Sequence, residues 1–445
     1  MSQPFHIVIG LGATGLSCVR YLTERQIPFA VADTRQEPPQ LAEFKKDYPH
    51  IPLSLGSLDE KFLNQAEVLV LSPGIALKDP AIAKQVARGI SVIGDIELFA
   101  REVKAPVIAI TGTNAKSTVT TLVGKMAEAA NLKVKVGGNL GLPALDLLKG
   151  ETPDLYVVEL SSFQLETTYS LAARVATVLN ITPDHMDRYE TLNDYKAAKL
   201  RIYQGCDVAV CNRDDQATDC GDHFKSSKLQ FTLQQPGKNE FGILSVNNEN
   251  YLAFEKQALL PVRELPLPGR HSQANALAAL ALGYGFGIPM DAMKKALVEF
   301  KGLAHRCQLV RERNGVRWYN DSKGTNVGAT LAAIEGMGPE IPGKLILIAG
   351  GVGKNADFSP LIPIISQYVG TVVLIGEAAP LLEKILKDHV AIIQATTMVE
   401  AIQAADRVAK VGDSVLLSPA CASLDMFKNF EHRGNVFTEV VQELI

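Results

Sequence analysis

Two glycine-rich turns carry residue types suited to phosphate. Gly10-Leu11-Gly12-Ala13-Thr14-Gly15 follows an apolar run at residues 6–10 and opens a helical pattern, and Asp33 ends the next apolar run. Glycines at that spacing let the backbone approach a pyrophosphate at a helix N-terminus, while the acid accepts hydrogen bonds from a sugar hydroxyl. NAD and other nucleoside diphosphates both satisfy this pattern, and the same turn also forms with no ligand. The second turn, Thr111-Gly112-Thr113-Asn114-Ala115-Lys116-Ser117-Thr118, stands between a strand-like run at 107–110 and a helical pattern over 119–130. Its backbone N–H groups suit phosphate oxygens, Lys116 suits the β and γ oxygens of ATP, and Ser117 suits Mg²⁺. The spacing is two residues shorter than a strict Walker motif, and Ala115 stands where glycine is usual. A positive φ at that alanine costs ~1 kcal/mol, which a functional loop tolerates.

A phosphoryl-transfer site also needs an acid for the metal. Glu159 ends the apolar run 155–158 and fits that role. Asp184-His185-Met186-Asp187 follows a run at 175–181, which puts His185 at the carboxyl end of a strand, where open sheets hold ligands; a structural histidine fits the position equally. Lys199 in Tyr195-Lys196-Ala197-Ala198-Lys199 reads, from its position alone, as a solvated helical lysine.

These residues need a scaffold of buried strands with helices between them. Short apolar runs ended by Gly, Asp or Pro recur along the chain and alternate with helical patterns, the signature of parallel βαβ units, so the fold class is α/β throughout. The series restarts near residues 94 and 302, giving three blocks with strands at 6–10, 29–33, 68–72 and 91–94, then 107–112, 155–160, 175–181 and 208–212, then 316–321, 344–350, 371–376, 390–394 and 414–418. The polar stretch 221–268 reads as a peripheral excursion of short strands and loops, and the Ala-rich segment 275–282 as a buried helix.

Composition agrees with a large soluble enzyme. A chain of 445 residues has room for three domains at about 150 residues each. With 47% hydrophobic and 21% charged residues it is neither disordered nor fibrous. A net charge of −4 gives no general attraction to nucleic acid or an anionic bilayer, and no apolar run is long enough to span a membrane. The apolar start lacks a basic leader segment and is broken by glycines, so export is not expected and a cytoplasmic enzyme is. The six cysteines include no CxxC pair; Cys206, Cys211, Cys220 and His223, spaced by five, nine and three, match no standard zinc ribbon or finger and read as free thiols in a reducing compartment.

The order of Thr111–Thr118, Glu159-Leu160-Ser161-Ser162-Phe163-Gln164, Asp184-His185-Met186-Asp187-Arg188-Tyr189 and Ala197-Ala198-Lys199 resembles the Mur ligases. Gly94-Asp95-Ile96-Glu97-Leu98-Phe99, Asn320-Asp321-Ser322-Lys323-Gly324-Thr325-Asn326 and Leu417-Ser418-Pro419-Ala420-Cys421-Ala422-Ser423-Leu424-Asp425 are similar to the branch of that family that adds D-glutamate to UDP-N-acetylmuramoyl-L-alanine. The resemblance implies a Rossmann-like domain for the UDP substrate at 1–94, a central P-loop-type ATPase domain with a mostly parallel sheet at 95–302, and a Rossmann-like amino-acid-binding domain at 303–445. It implies Ala13, Thr14, Asp33, Thr34, Arg35, Asn139 and Gln164 for the UDP substrate. For ATP it implies Gly112, Thr113, Asn114, Ala115, Lys116, Ser117, Thr118, Asn275, Arg306 and Asp321, and for two Mg²⁺ ions Ser117, Glu159, His185 and Lys199. Lys199 matches a lysine that carries a carbamate in the family, which turns a cation into a carboxylate-like metal ligand. Thr325, Lys354, Ser423 and Phe430 match positions that grip D-glutamate, and Lys323 lies near the reacting phosphate, so that Lys116, His185, Lys199 and Lys323 form the implied catalytic set. The chain departs from the family pattern at Ala115, at Ser272 in place of asparagine, and at Val352 where aspartate is often found.

The expected function is therefore ATP-dependent D-glutamate ligation through an acyl phosphate in peptidoglycan precursor synthesis, by a monomer acting on small molecules with no nucleic-acid partner. Competing readings are a related ligase for another amino acid, a folylpolyglutamate synthase-like enzyme, an NAD-dependent dehydrogenase resting on Gly10–Gly15 and Asp33, and a non-catalytic nucleotide-binding regulator. The dehydrogenase leaves the second phosphate loop, Glu159 and the C-terminal segments unexplained, and the retained Lys116, Glu159, His185 and Lys199 speak against the regulator.

Overall fold

The computed structural model describes residues 3–221, 227–267 and 269–444. Three sheets account for the alternating pattern. The first holds β1 (His6–Ile9), β2 (Phe29–Asp33), β3 (Leu53–Leu55), β4 (Val68–Leu71) and β5 (Ser91–Gly94), all parallel in the order β3-β2-β1-β4-β5. Order reverses between β1 and β4, so the loop after β1 opens at a switch point, the usual place for a ligand in an open α/β sheet. Ile7, Ile9, Ala30, Ala32, Leu69 and Leu71 alternate into one buried face of this sheet.

The second sheet is built on β6 (Val107–Thr111), β7 (Val134–Gly138), β8 (Leu155–Glu159), β9 (Val175–Val178) and β10 (Val208–Asn212). Every residue of β6 and β8 is buried, as a parallel strand covered by helices on both faces requires. β6 lies between β9 and β8, which makes the loop after it the second switch point. Residues 221–268 are more than a peripheral excursion: β11 (Ser227–Phe231), β12 (Glu240–Val246), β13 (Glu249–Phe254) and β14 (Gln257–Pro261) extend the same sheet beyond β10, first parallel and then antiparallel at β12–β13.

The third sheet comprises β15 (Gln308–Arg313), β16 (Val316–Asn320), β17 (Leu345–Gly350), β18 (Val369–Ile375), β19 (Ala391–Gln394) and β20 (Ser414–Leu417), in the order β15-β16-β20-β17-β18-β19. Only β15 is antiparallel to its neighbour. Its two faces carry separate apolar clusters, one around Phe358, Ile365 and Leu382 and the other around Trp318, Ile402 and Phe437.

By internal contacts the chain divides into two compact units. One comprises Met1–Ile181, Asn193–Leu260 and Ala276–Leu297, with the first two sheets; the other comprises Thr182–Leu192, Pro261–Asn275 and Val298–Ile445, with the third. The short segment bearing His185 thus belongs to the second unit. The Ala-rich helix Arg270–Phe286 is longer than the 275–282 core read from sequence, and Ala276–Leu282 are all at most 2% exposed. Among the described residues no helix is long and apolar enough to cross a membrane.

The turn after β1 tolerates no side chain at its last glycine. A Cβ at Gly15 would meet the Gly10 carbonyl oxygen at 1.8 Å. Gly15→Ala is therefore expected to destabilise the first unit by about 2 kcal/mol or more, read by denaturant unfolding; a wild-type midpoint would show that the turn opens without cost.

Candidate active site

In the first unit a cleft of about 560 Å³ opens at the carboxyl ends of β1 and β2. Ala13, Thr14, Thr34 and Arg35 line it from the first sheet, and Asn139 and Gln164 from the second, so six of the residues implied for the UDP substrate share one cleft. Asp33 stands behind it, 1% exposed. Its Oδ2 accepts from the Leu11 backbone N–H at 2.6 Å and from Arg35 Nη2 at 2.7 Å, and its Oδ1 from the Arg35 N–H and Nε. Burial pushes the Asp33 carboxyl up, but the Arg35 guanidinium and these N–H donors outweigh it and hold it below the usual range. Both oxygens of Asp33 thus brace the glycine turn and Arg35.

The phosphate loop follows β6. Gly112 has φ +155° and Ala115, at the N-cap of the helix Lys116–Ala129, has φ +66°, the left-handed conformation anticipated for a glycine position. Lys116 Nζ folds back onto the loop and donates to the carbonyls of Gly112 and Thr113, both at 2.9 Å. Asn180, just past β9, clamps the loop: its carbonyl accepts from the Thr113 N–H at 2.9 Å and its Oδ1 from the Asn114 N–H at 2.8 Å. Thr113, Ser117 and Thr118 are buried. Lys199 is not a solvated lysine. It is 1% exposed, donates from Nζ to the Gly112 carbonyl at 2.8 Å, and lies 4.5 Å from the centre of the Tyr195 ring, whose hydroxyl bonds Thr113 Oγ1. Asn180 and Tyr195 escaped sequence reasoning: Asn180 lay inside the strand expected at 175–181, which in the structure ends at Val178.

Glu159 ends β8 next to β6. Its Oε1 accepts from Asn139 Nδ2 at 2.7 Å, while Oε2 is buried with no hydrogen-bond partner among the described residues. A buried carboxylate oxygen lacking a donor is costly unless a cation takes it, and oxygen donors such as Glu159 and Ser117 are what Mg²⁺ prefers. The residues present therefore fit the metal. Asn139 serves two purposes, lining the substrate cleft and orienting this carboxylate.

In the second unit a cavity of about 410 Å³ is lined by Asp184, His185, Thr325, Asn326 and Lys354 among others. Lys354 Nζ donates to Asp184 Oδ1 at 2.8 Å, and Asn326 Nδ2 to Asp184 Oδ2 at 3.1 Å. Burial raises Asp184, yet Lys354 and His185 more than offset it and keep the carboxyl below its ordinary value. His185 has φ +57° and its Nε2 lies 3.7 Å from Asp184. Of the residues implied for D-glutamate, Thr325 and Lys354 line this cavity, whereas Ser423 and Phe430 do not. Phe430 instead carries Lys323, whose Nζ is 3.6 Å from the ring centre.

Asp321 sits just past β16, buried, accepting from Ser418 Oγ at 2.7 Å and the Cys307 N–H at 3.2 Å; burial pushes its carboxyl up to about 6 despite Ser418 and Arg306. Sequence reasoning missed Arg433, 1% exposed, whose guanidinium ties Ser322 Oγ and the Ser322 and Cys421 carbonyls together and so fixes the two loops that bear Asp321 and Ser423. Asn275 lies in the helix Arg270–Phe286, half-buried.

Known proteins place this arrangement. The Mur ligase MurD-like N-terminal domain matches residues 5–94, the Mur ligase middle domain residues 110–283, and the Mur ligase glutamate ligase domain residues 305–421. The chain is 55% identical over 444 residues to the UDP-N-acetylmuramoylalanine–D-glutamate ligase of Pseudomonas savastanoi pv. phaseolicola, covering 99% of this chain and 98% of that one. It is 52% identical over 443 residues to the enzyme of the same name from Coxiella burnetii, covering both chains fully. Among solved structures, MurF ligase of Thermotoga maritima in complex with ADP superposes with a TM-score of 0.62 at 15% identity, covering 99% of this chain and 98% of that one, which speaks for the three-domain fold alone. The chain belongs to the Mur ligase family.

Asp95 opens the helix Asp95–Glu102 and is 1% exposed; Gln164 Nε2 donates to its Oδ2 at 3.0 Å while Oδ1 is buried without a hydrogen-bond partner. Burial pushes its carboxyl from 3.8 up to about 6. The folded state then holds this proton more tightly than the unfolded chain, so the contribution of Asp95 to stability is fully present below about pH 4 and is lost as pH rises through about 6, opposite in sign to the contributions of Asp33 and Asp184, whose folded values are lowered. Asp95→Asn is expected to flatten that fall and to be more stable than wild type at pH 7.5 by on the order of 2 kcal/mol. Denaturant midpoints at pH 5 and 7.5 check it; a variant weaker at both would show that the ionised carboxylate is well solvated in place.

Proposed function

We propose that this chain is an ATP-dependent amide ligase that joins D-glutamate to UDP-N-acetylmuramoyl-L-alanine in the cytoplasmic synthesis of peptidoglycan precursors. What carries the reading is 55% identity across 99% of the chain to a ligase of that name. The cleft at Ala13, Thr14, Thr34, Arg35, Asn139 and Gln164 supports a nucleoside-diphosphate substrate, and the loop at 112–118 supports ATP. In this reading residues 1–94 hold the UDP substrate, 95–302 ATP and 303–445 the amino acid, and the chain acts as a monomer.

The free carboxylate of the UDP substrate attacks the γ-phosphorus of ATP, giving an acyl phosphate and ADP. The amine of D-glutamate then adds to the acyl carbon, loses a proton, and expels phosphate as the amide forms. Lys116 neutralises charge on the transferring phosphoryl, and the loop N–H groups position it. Ser117, Glu159, Lys199 as its carbamate and His185 would hold two Mg²⁺ ions, which neutralise phosphate charge when bound. The carbamate forms when neutral Lys199 Nζ adds CO₂ and releases a proton. Asn275, Arg306 and Asp321 would complete the ATP site, Lys323 would stabilise the oxyanion at the acyl carbon, and Thr325, Lys354, Ser423 and Phe430 would receive D-glutamate. A cation and hydroxyls suit its two carboxylates.

Phosphate release with ATP, Mg²⁺ and UDP-N-acetylmuramoyl-L-alanine tests the assignment. Release that depends on D-glutamate, and not on L-glutamate or L-lysine, is expected, with Lys116→Ala lowering kcat by at least about 100-fold through loss of charge at the phosphoryl. Release with a different amino acid would keep the chemistry and overturn the D-glutamate pocket; none under any condition would overturn the ligase. Lys199→Ala is expected to be inactive and partly restored by acetate, a short carboxylate standing in for the carbamate. Full activity without acetate would remove Lys199 from the metal site.

A further inference from the structure

Three residues that the ligase reading leaves unused meet at the end of β10. Cys211 lies in that strand, opposite Val178 on one side and Gln230 on the other. The chain then folds back over it. Asp215 accepts from the Ile181 and Ala217 N–H groups, and Thr218 exchanges hydrogen bonds with Asn212. This tight return carries Asp219 and Cys220 to Cys211, so that one ligating atom from each of the three residues lies within 4.8 Å of the other two. Cys211 is 1% exposed and Cys220 7%, and the two thiols are hydrogen-bonded. His223 lies outside the described residues and Cys206 is buried just before β10, so this grouping keeps only Cys211 and Cys220 of the set that sequence spacing read as free thiols.

We propose that Cys211, Asp219 and Cys220 bind a soft divalent cation of the zinc class. Tetrahedral thiolate coordination at about 2.3 Å from the metal sets sulfurs roughly 3.8 Å apart, so the existing span closes with small side-chain rotations. The donor set separates this site from the phosphate loop: sulfur selects soft metals, whereas Glu159 and Ser117 offer only oxygen. Lys228 on β11 donates to Asp219 Oδ1 at 2.8 Å and the Gly221 N–H to the same atom at 2.9 Å, which orients the carboxylate and leaves Oδ2 for the metal. Two thiolates and a carboxylate leave one negative charge after a divalent cation binds, and the Lys228 ammonium balances it. Binding releases both thiol protons, so affinity is expected to rise with pH. Among the described residues these three are the protein ligands.

The test is Co²⁺ titration of the purified full-length chain, reduced and freed of metal. A near-ultraviolet sulfur-to-cobalt charge-transfer band is expected, saturating at one Co²⁺ per chain and bleached by Zn²⁺; cobalt at the oxygen donors of the phosphate loop gives no such band. Cys211→Ser and Cys220→Ser are expected to lose the band, Cys206→Ser to retain it, and Asp219→Asn to weaken binding at least tenfold. Absence of the band in the wild-type chain overturns the proposal whatever the variants do. So does a band that survives Cys211→Ser, or a mass two hydrogens low that locates a Cys211–Cys220 disulfide in the reduced preparation.

Discussion

One carbonyl oxygen organises the nucleotide end of the first unit. Gly112 O accepts from Lys116 Nζ at 2.9 Å and from Lys199 Nζ at 2.8 Å, so two ammonium groups converge on the same loop atom. Burying Lys199 beneath the loop is expensive unless its hydrogen bonds are made, and the Gly112 carbonyl and the Tyr195 ring face supply part of that compensation. With Lys199 unmodified, two like charges so close favour an anion at the loop mouth, and carbamylation would replace one of them by a metal-binding carboxylate. The left-handed Ala115 and the extended turn at Gly112 are the backbone conformations that aim the carbonyl at both lysines, and Asn180 locks them by bonding Thr113 and Asn114.

The second unit solves a similar problem with the signs exchanged. Its buried carboxylates, Asp184 and Asp321, are held by Lys354 and Asn326 in one case and by Ser418 and the Cys307 N–H in the other. Arg433, drawn from the last helix, binds the loops after β16 and β20 together, and its burial lowers the guanidinium to about 10, a measure of how little water reaches it. Hydrogen-bonded loops thus frame the cavity of the second unit, and Lys354, in the left-handed conformation, lines it.

Much of this was legible in the chain. Glycines, Lys116 and Ser117 announce the phosphate loop because their roles follow from local backbone geometry, and Glu159 does so because it ends a wholly apolar run. Lys199, Asn180, Tyr195 and Arg433 were illegible as to position because their partners lie far away in sequence, and helical spacing alone made Lys199 look solvated. Among strands, β3, β7 and β15 went unread: β3 is short and half-buried, β7 ends in paired glycines, and β15 is a polar edge strand. The stretch 221–268 looked peripheral because its alternation is weak, yet it adds strands to the central sheet, where partners on one side supply what periodicity does not.

The proposed activation of the UDP substrate's carboxylate by phosphoryl transfer on this loop has a direct chemical signature. Oxygen labelling reports it without dependence on any variant. With ¹⁸O in the carboxylate of UDP-N-acetylmuramoyl-L-alanine, the attacking oxygen becomes the bridge of the acyl phosphate and departs with the leaving group. The phosphate released on D-glutamate addition should therefore carry one ¹⁸O per turnover, seen as an isotope shift in its ³¹P resonance. Unlabelled phosphate accompanying amide product would contradict the account, because the carboxylate would then have reacted without ever bonding to phosphorus.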